Sequence, residues 1–240
     1  MKILGLIPAR YGSTRLPGKA LEIIGGKTMI QRVYEQANKC PELSAVMIAT
    51  DHDEIAKKSE SFNARAILTS AEHRSGTDRV AEALEKSGYV YDYVINIQGD
   101  EPFIDPSQIS LLAGVLDGKT EIATLAKPTH DDHEINDPNV VKVIRNLKGD
   151  AIYFSRSTIP HNRGNAKNTE YLKHIGIYAY RSDILGKITQ LPASSLEIAE
   201  SLEQLRWIEN GYTIRVVKTE IDSFGIDTPE DLEKARNAYS

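Results

Sequence analysis

The sequence predicts an α/β fold built on a largely parallel sheet. Short, near-continuous apolar runs recur along the chain, helical periods of apolar residues lie between them, and helix-start signals stand where those periods begin. A near-continuous apolar run suits a strand covered on both faces, whereas a half-exposed strand alternates apolar with polar residues. Strand–helix–strand alternation over residues 1–125 implies right-handed βαβ units.

Taken in order, residues 3–7, 45–49, 94–97 and 122–125 are the buried strands of the first half. Ile30, Val33, Tyr34 and Ala37 fall at i, i+3, i+4 and i+7, as do Ile109, Leu112, Ala113 and Leu116, so each set lines one face of a helix. Helix starts are marked by Asp51 with Glu54, Asp105 before Pro106, Ser194 with Glu197, and Thr228 before Pro229 with Asp231. In the second half, residues 140–144, 152–154 and 174–180 read as strands and 160–170 as a polar loop. A helix at about 195–210, a strand at 214–217 and a final helix after Thr228 follow. With no linker composition anywhere, residues 1–240 read as one domain carrying a small subsidiary lobe in its second half.

Composition narrows the function classes. The chain has 240 residues, 40% hydrophobic and 26% charged, which excludes disordered and fibrous proteins. Twenty-nine Lys and Arg against 34 Asp and Glu give a net charge of −5. General nucleic-acid and membrane-surface binders need a net basic face, so neither partner is expected. The apolar runs are too short for a transmembrane helix. The single cysteine, Cys40, forms no internal disulfide, and the first residues lack a signal-peptide pattern. Together these point to the cytoplasm. Cys40 itself reads as a small apolar filler.

Against that acidic background the start of the chain stands out. The first acidic residue is Glu22, so Lys2, Arg10, Arg15 and Lys19 precede any carboxylate. Arg10, Arg15 and Lys19 lie with Gly12, Ser13, Thr14 and Gly18 in the loop after the first strand, where open parallel sheets bind ligands. Arginines, a lysine, hydroxyls and glycine-exposed amides suit a polyphosphate. The spacing is not that of a P-loop, since five residues separate Gly12 from Gly18-Lys19 and Ala20 follows. A dinucleotide fingerprint is also absent.

Two aspartates are the metal candidates. The run Val94 to Gln98 leads directly into Gly99-Asp100, which presents a carboxylate at the sheet's binding edge. Asp227 follows a short apolar stretch and precedes a capped helix. Mg²⁺ favours a few carboxylates plus water and phosphate oxygens. Turn capping by Asp100 and helix capping by Asp227 are the alternatives. Ser75-Gly76-Thr77, after His73, can offer amides and hydroxyls to a base or phosphate, or cap a helix. The six histidines show no zinc spacing, and no nucleophile elbow is present.

The segments Ile7 to Lys19, Asn96 to Pro102, Tyr153 to Pro160, His174 to Tyr178, Leu202 to Arg206 and Gly225 to Pro229 together resemble the sugar-nucleotide cytidylyltransferases. The middle segments resemble the branch acting on 3-deoxy-manno-octulosonate (Kdo), and the likeness spans essentially the whole chain. The resemblance implies a three-layer α/β/α Rossmann-like nucleotidyltransferase fold with a mostly parallel mixed sheet. It implies a cytoplasmic homodimer joining CTP and Kdo with Mg²⁺ to give CMP-Kdo and pyrophosphate for lipopolysaccharide synthesis.

By the same resemblance, Arg10, Ser13 and Lys19 hold phosphates, and Pro8, Ala9, His73, Ser75 and Gln98 surround the cytidine. Asp100 and Asp227 bind Mg²⁺, so that Lys19, Arg10, Asp100 and Asp227 are the catalytic set. Arg156, His174, Tyr178, Glu203 and Gln204 face the sugar, Arg156 offering a planar fork to its carboxylate. Residues 1–125 then form the CTP half, 126–220 the sugar and dimer lobe, and 221–240 the metal loop and closing helix. Other readings are a different acidic acceptor (8-amino-Kdo or sialic acid) and a non-catalytic nucleotide binder on the same scaffold.

Overall fold

The computed structural model describes residues 1–12, 16–164 and 169–238. The first apolar run becomes β1 (Ile3–Ala9). A 3-10 turn (Lys19–Leu21), the short strands β2 (Ile23–Ile24) and β3 (Lys27–Thr28), and α1 (Met29–Ala37) follow. Next come β4 (Ala45–Thr50), α2 (Asp53–Glu60), β5 (Arg65–Leu68), α3 (Gly76–Lys86), β6 (Tyr93–Asn96), α4 (Pro106–Ala113) and β7 (Ile122–Thr129). The second half holds α5 (Asp132–Asn136), β8 (Lys142–Arg145), β9 (Ala151–Ser155), β10 (Tyr171–Arg181) and α6 (Ser182–Ile188). It ends with α7 (Ser195–Glu200), α8 (Gln204–Glu209), β11 (Ile214–Lys218) and α9 (Pro229–Asn237).

Among the described residues nine strands form one sheet, with the main path β11-β7-β10-β6-β1-β4-β5 and β8–β9 attached to β10. β1 pairs parallel with β4 and β6, β4 with β5, and β7 with β11. β7 runs parallel to β6 but does not lie beside it. β10 lies between them, antiparallel to both. It comes from the second half of the chain, so strand–helix alternation in the first half carries no sign of it.

β1 shows why its apolar run is continuous. Ile3, Ile7 and Ala9 pack on one side of the sheet with Ile30 and Val33 of α1 and Ile109 and Leu112 of α4. Leu4 and Leu6 pack on the other with Val80 of α3, Leu185 of α6 and Trp207 of α8. Each Ile, Leu or Val side chain so buried contributes about 1.5–3 kcal/mol. This is the three-layer arrangement that the resemblance implies. A third, smaller core joins Ile24 and Met29 near the start to Ile226, Leu232 and Ala235 near the end.

Two local expectations are corrected. Asp51 does not cap α2. The ring of His52 accepts the Glu54 amide instead, at 3.3 Å, because the Asp51 carboxylate is turned inward to Arg79. The single helix expected at 195–210 is two, because Ser201 adopts a left-handed conformation (φ 52°) that turns the chain between α7 and α8. The other three starts hold: Asp105 caps α4, and Ser194 and Thr228 form capping boxes. Cys40 is buried, as expected of a filler.

The path β1, β4, β5 moves to one side, and α3 then returns the chain to β6 on the other side of β1. Between the carboxyl ends of β1 and β6 the connections diverge, which opens a crevice at the sheet edge.

Candidate active site

A cleft of about 270 Å³ occupies that crevice. Its floor and walls come from four places: Pro8, Ala9 and Arg10 at the end of β1; Lys19 and Ala20 in the 3-10 turn; His73 to Gly76 and Arg79 around the start of α3; and Gln98, Gly99 and Asp100 after β6. Asp227 closes one side. Gly99 is needed here, because a Cβ on it would lie 2.5 Å from the Pro8 carbonyl oxygen. The loop after β6 can approach the end of β1 only without a side chain at that position.

Lys19 gathers the two metal candidates. It follows Gly18, whose φ of 69° lies in the left-handed region and whose amide donates to the Tyr11 carbonyl at 3.0 Å. From there Lys19 Nζ donates to Asp100 Oδ2 at 2.6 Å, to the Ile226 carbonyl at 3.2 Å and to Asp227 Oδ1 at 3.1 Å. The Ile226 amide in turn donates to the Asp100 carbonyl at 2.9 Å, fixing the segment that carries Asp227. Asp100 and Asp227, 127 positions apart, thus share one ammonium. Among the described residues no group of three or more His, Cys, Asp or Glu gathers as a metal cage. Two converging carboxylates fit a hydrated Mg²⁺ that takes its remaining oxygens from water and phosphate. Neighbouring Glu101 is buried, and that burial, with the Asp100 charge beside it, pushes its carboxyl up to about 7.

The opposite wall is organised by α3. The Ser75 side chain accepts the Asp78 amide at 3.1 Å, so it caps the helix and lines the cleft at once. His73 Nε2 bonds Glu82, which also accepts the Ser70 amide at 2.8 Å and pairs with Lys86. Burial would raise the Glu82 carboxyl, but Lys86, the Ser70 amide and His73 outweigh it and hold it at about 2. Gln98 Nε2 donates to the Gly176 carbonyl of β10 at 2.6 Å, which ties this wall to the strand inserted beside β6. Ser13 lies outside the described residues.

The five residues assigned to the sugar do not line this cleft. His174 is mostly buried. Its Nε2 lies 3.1 Å from Thr124 Oγ1, its ring meets Phe154 edge-on, and burial pushes the imidazole down to about 3. Tyr178 stacks on Tyr180, and both meet Trp207 edge-on. Glu203 accepts Thr77 Oγ1 at 2.7 Å, and its burial raises its carboxyl above the usual range. Gln204 is buried at the start of α8. Arg156 is engaged elsewhere: its Nε donates to the Glu200 carbonyl at 2.7 Å and its Nη1 to the Pro138 carbonyl at 3.0 Å. The fork expected to meet a carboxylate therefore ties α7 to the turn before β8.

Sequence reasoning gave no role to Arg74 or Arg79, both of which line the cleft. A signal existed for Arg79: it shares the inward side of α3 with Val80 and Ala83, an odd place for a charge without a buried partner.

A family model described as Cytidylyltransferase matches residues 4–218. The 3-deoxy-manno-octulosonate cytidylyltransferase of Parabacteroides distasonis is 53% identical over 246 residues, covering 98% of this chain and 97% of that protein. That of Cytophaga hutchinsonii is 51% identical over 246 residues, covering 100% and 98%. A solved structure of CMP:2-keto-3-deoxy-manno-octonic acid synthetase complexed with CTP is similar at a TM-score of 0.94 and 45% identity, covering 99% of this chain and 98% of that one. A nucleotidyl transferase from Methanothermobacter, at a TM-score of 0.67 and 14% identity, shares the fold. With its signature loop, its switch-point cleft and these full-length likenesses, the chain belongs to the cytidylyltransferase family.

Proposed function

We propose that this chain transfers the cytidylyl group of CTP to Kdo, releasing pyrophosphate. The observation that carries the reading is the meeting of Lys19, Asp100 and Asp227 at a switch-point cleft whose other wall is the start of α3. The anomeric hydroxyl of the sugar forms a bond to the α-phosphorus in line with the leaving pyrophosphate, and the bond to the β-phosphate oxygen breaks. No covalent enzyme intermediate is needed. The protein's task is to hold two anions together and stabilise charge on the phosphoryl oxygens.

Arg10 and Lys19 are placed to hold the phosphates. Pro8, Ala9, His73, Ser75 and Gln98 surround the nucleoside. Asp100 and Asp227 would hold Mg²⁺, which when bound neutralises and polarises the phosphate oxygens. Lys19, which now bridges the two carboxylates, then has its ammonium available for the phosphates.

The acceptor side has its own support. Trp207 Nε1 is buried without a hydrogen-bond partner among the described residues, in a polar cluster with Asn96, Tyr178 and Tyr180. They lie close together, because Tyr178 pairs with Asn96 across β10 and β6 and both tyrosines touch Trp207. Buried polar groups of this kind call for a polar occupant, and a polyhydroxylated acid supplies one. Residues 126–220 then form the sugar and dimer lobe, and the enzyme works as a cytoplasmic homodimer in lipopolysaccharide synthesis.

The test is pyrophosphate release from CTP, ATP, GTP and UTP against Kdo, 8-amino-Kdo and sialic acid, with and without Mg²⁺. Turnover confined to CTP and Kdo with Mg²⁺ is expected. Preference for another acid would change the acceptor, and no release with any pair would remove the activity.

A further inference from the structure

Arg79 and Asp51, which the proposed reaction leaves without a role, join the two walls of the cleft. Arg79 lies within the first turns of α3, on the base-side wall, and is only 3% exposed. Its Nη1 donates to Thr69 Oγ1 at 2.6 Å and its Nη2 to Asp51 Oδ2 at 2.9 Å. Asp51 follows β4, and its other oxygen accepts the Tyr11 amide at 3.0 Å. Tyr11 belongs to the phosphate-side wall. Its carbonyl accepts the Gly18 amide, directly before Lys19, and its ring stacks on His52 at 3.9 Å and 15°. A continuous path therefore runs from α3 through Arg79, Asp51 and Tyr11 to the turn that presents Lys19.

Desolvating a guanidinium and a carboxylate is costly, and an apolar pair of similar volume often serves a core as well or better. Core stability alone does not account for an ion pair here. Its geometry does account for one: the planar fork of Arg79 reaches two partners, and the two oxygens of Asp51 serve two different walls. We infer that Arg79 and Asp51 are positioning residues that fix the phosphate-side backbone against α3, so that both walls grip one triphosphate. This rests on the cytidylyltransferase reading above.

The test compares Arg79→Met, Asp51→Asn and the double variant, with Arg79→Lys as the milder change should the first fold poorly. Misplacing one wall by about 1 Å lowers kcat/KM for CTP roughly 100-fold. Each single variant is expected to show that loss, and the double variant no more than either single. The KM for the sugar should stay within about two-fold of wild type, because the pair acts on the nucleotide walls. By calorimetry, CTP binding weakens at least about ten-fold, a difference of about 1.4 kcal/mol, while CMP, which lacks the outer phosphates, keeps its affinity.

Additive losses in the double variant would give the residues separate roles and overturn the tie. So would equal weakening of CMP and CTP, or variants that melt lower yet turn over normally. A wild-type enzyme inactive with CTP and Kdo would defeat the functional reading instead. The contrast between CTP and CMP binding still decides the tie in that case.

Discussion

Acidification from pH 7 to pH 5 should cost this protein stability through one buried ring. His174, on β10 beside β7, packs against Phe154, and burial lowers its pKa from 6.5 to about 3. At pH 7 the imidazole is neutral in the folded chain and mostly neutral in the unfolded one, so it contributes little to pH dependence. Below pH 6.5 the unfolded chain takes up a proton that the folded chain refuses until about pH 3. The unfolded state is favoured throughout that window, and stability falls as pH falls. At pH 5 the loss is about 2 kcal/mol, rising to about 5 kcal/mol below pH 3. In a domain of this size, 2 kcal/mol corresponds to a Tm about 4–8 °C lower.

Urea unfolding of wild type and His174→Gln at both pH values isolates this contribution, since the remaining titrating groups are common to the two proteins. Glutamine keeps a polar atom near Thr124 but carries no proton-binding ring. Wild type should lose about 2 kcal/mol more than the variant between pH 7 and pH 5. Equal losses, within about 0.5 kcal/mol, would refute the reasoning.

Three substitutions probe the cleft. Lys19→Ala removes the ammonium that reaches both aspartates and should lower kcat about 10²–10³-fold, read as pyrophosphate release; unchanged kinetics would put the phosphate cradle elsewhere. Asp100→Asn should reduce kcat far more than CTP affinity, because a metal ligand acts mainly on the transition state; near-normal turnover would remove the metal assignment. Gly99→Ala places a methyl group 2.5 Å from the Pro8 oxygen. It should cost about 1–3 kcal/mol in urea unfolding and raise the KM for CTP, whereas an unperturbed protein would mean that the loop can move aside.

The parts of this architecture that were legible in the sequence are those written in contiguous residues. β1 could be read because both of its faces are buried, leaving an unbroken apolar run. Arg10 and Lys19 stood out because no acid precedes Glu22. Asp100 and Asp227 were candidates because each ends an apolar stretch, and the structure brings both to Lys19. Features made by distant pairing were not legible. Nothing local tells β10 to insert between β6 and β7. Asp51 has the look of a helix cap until Arg79, 28 residues on, draws it inward. Arg156 has the chemistry for a sugar carboxylate, and only the fold brings the carbonyls of Glu200 and Pro138 to two of its donors.

The small core that joins Ile24 and Met29 to Ile226, Leu232 and Ala235 also has a consequence for synthesis on the ribosome. Lys19 emerges early, whereas Asp227 comes 208 positions later, an interval on the order of 10–40 s at ordinary elongation rates. A nascent chain can form its central strands in that time while still lacking one of the two carboxylates. The contact between Lys19 and Asp227, and the small core beneath it, therefore form only once translation has delivered the segment that leads into the closing helix.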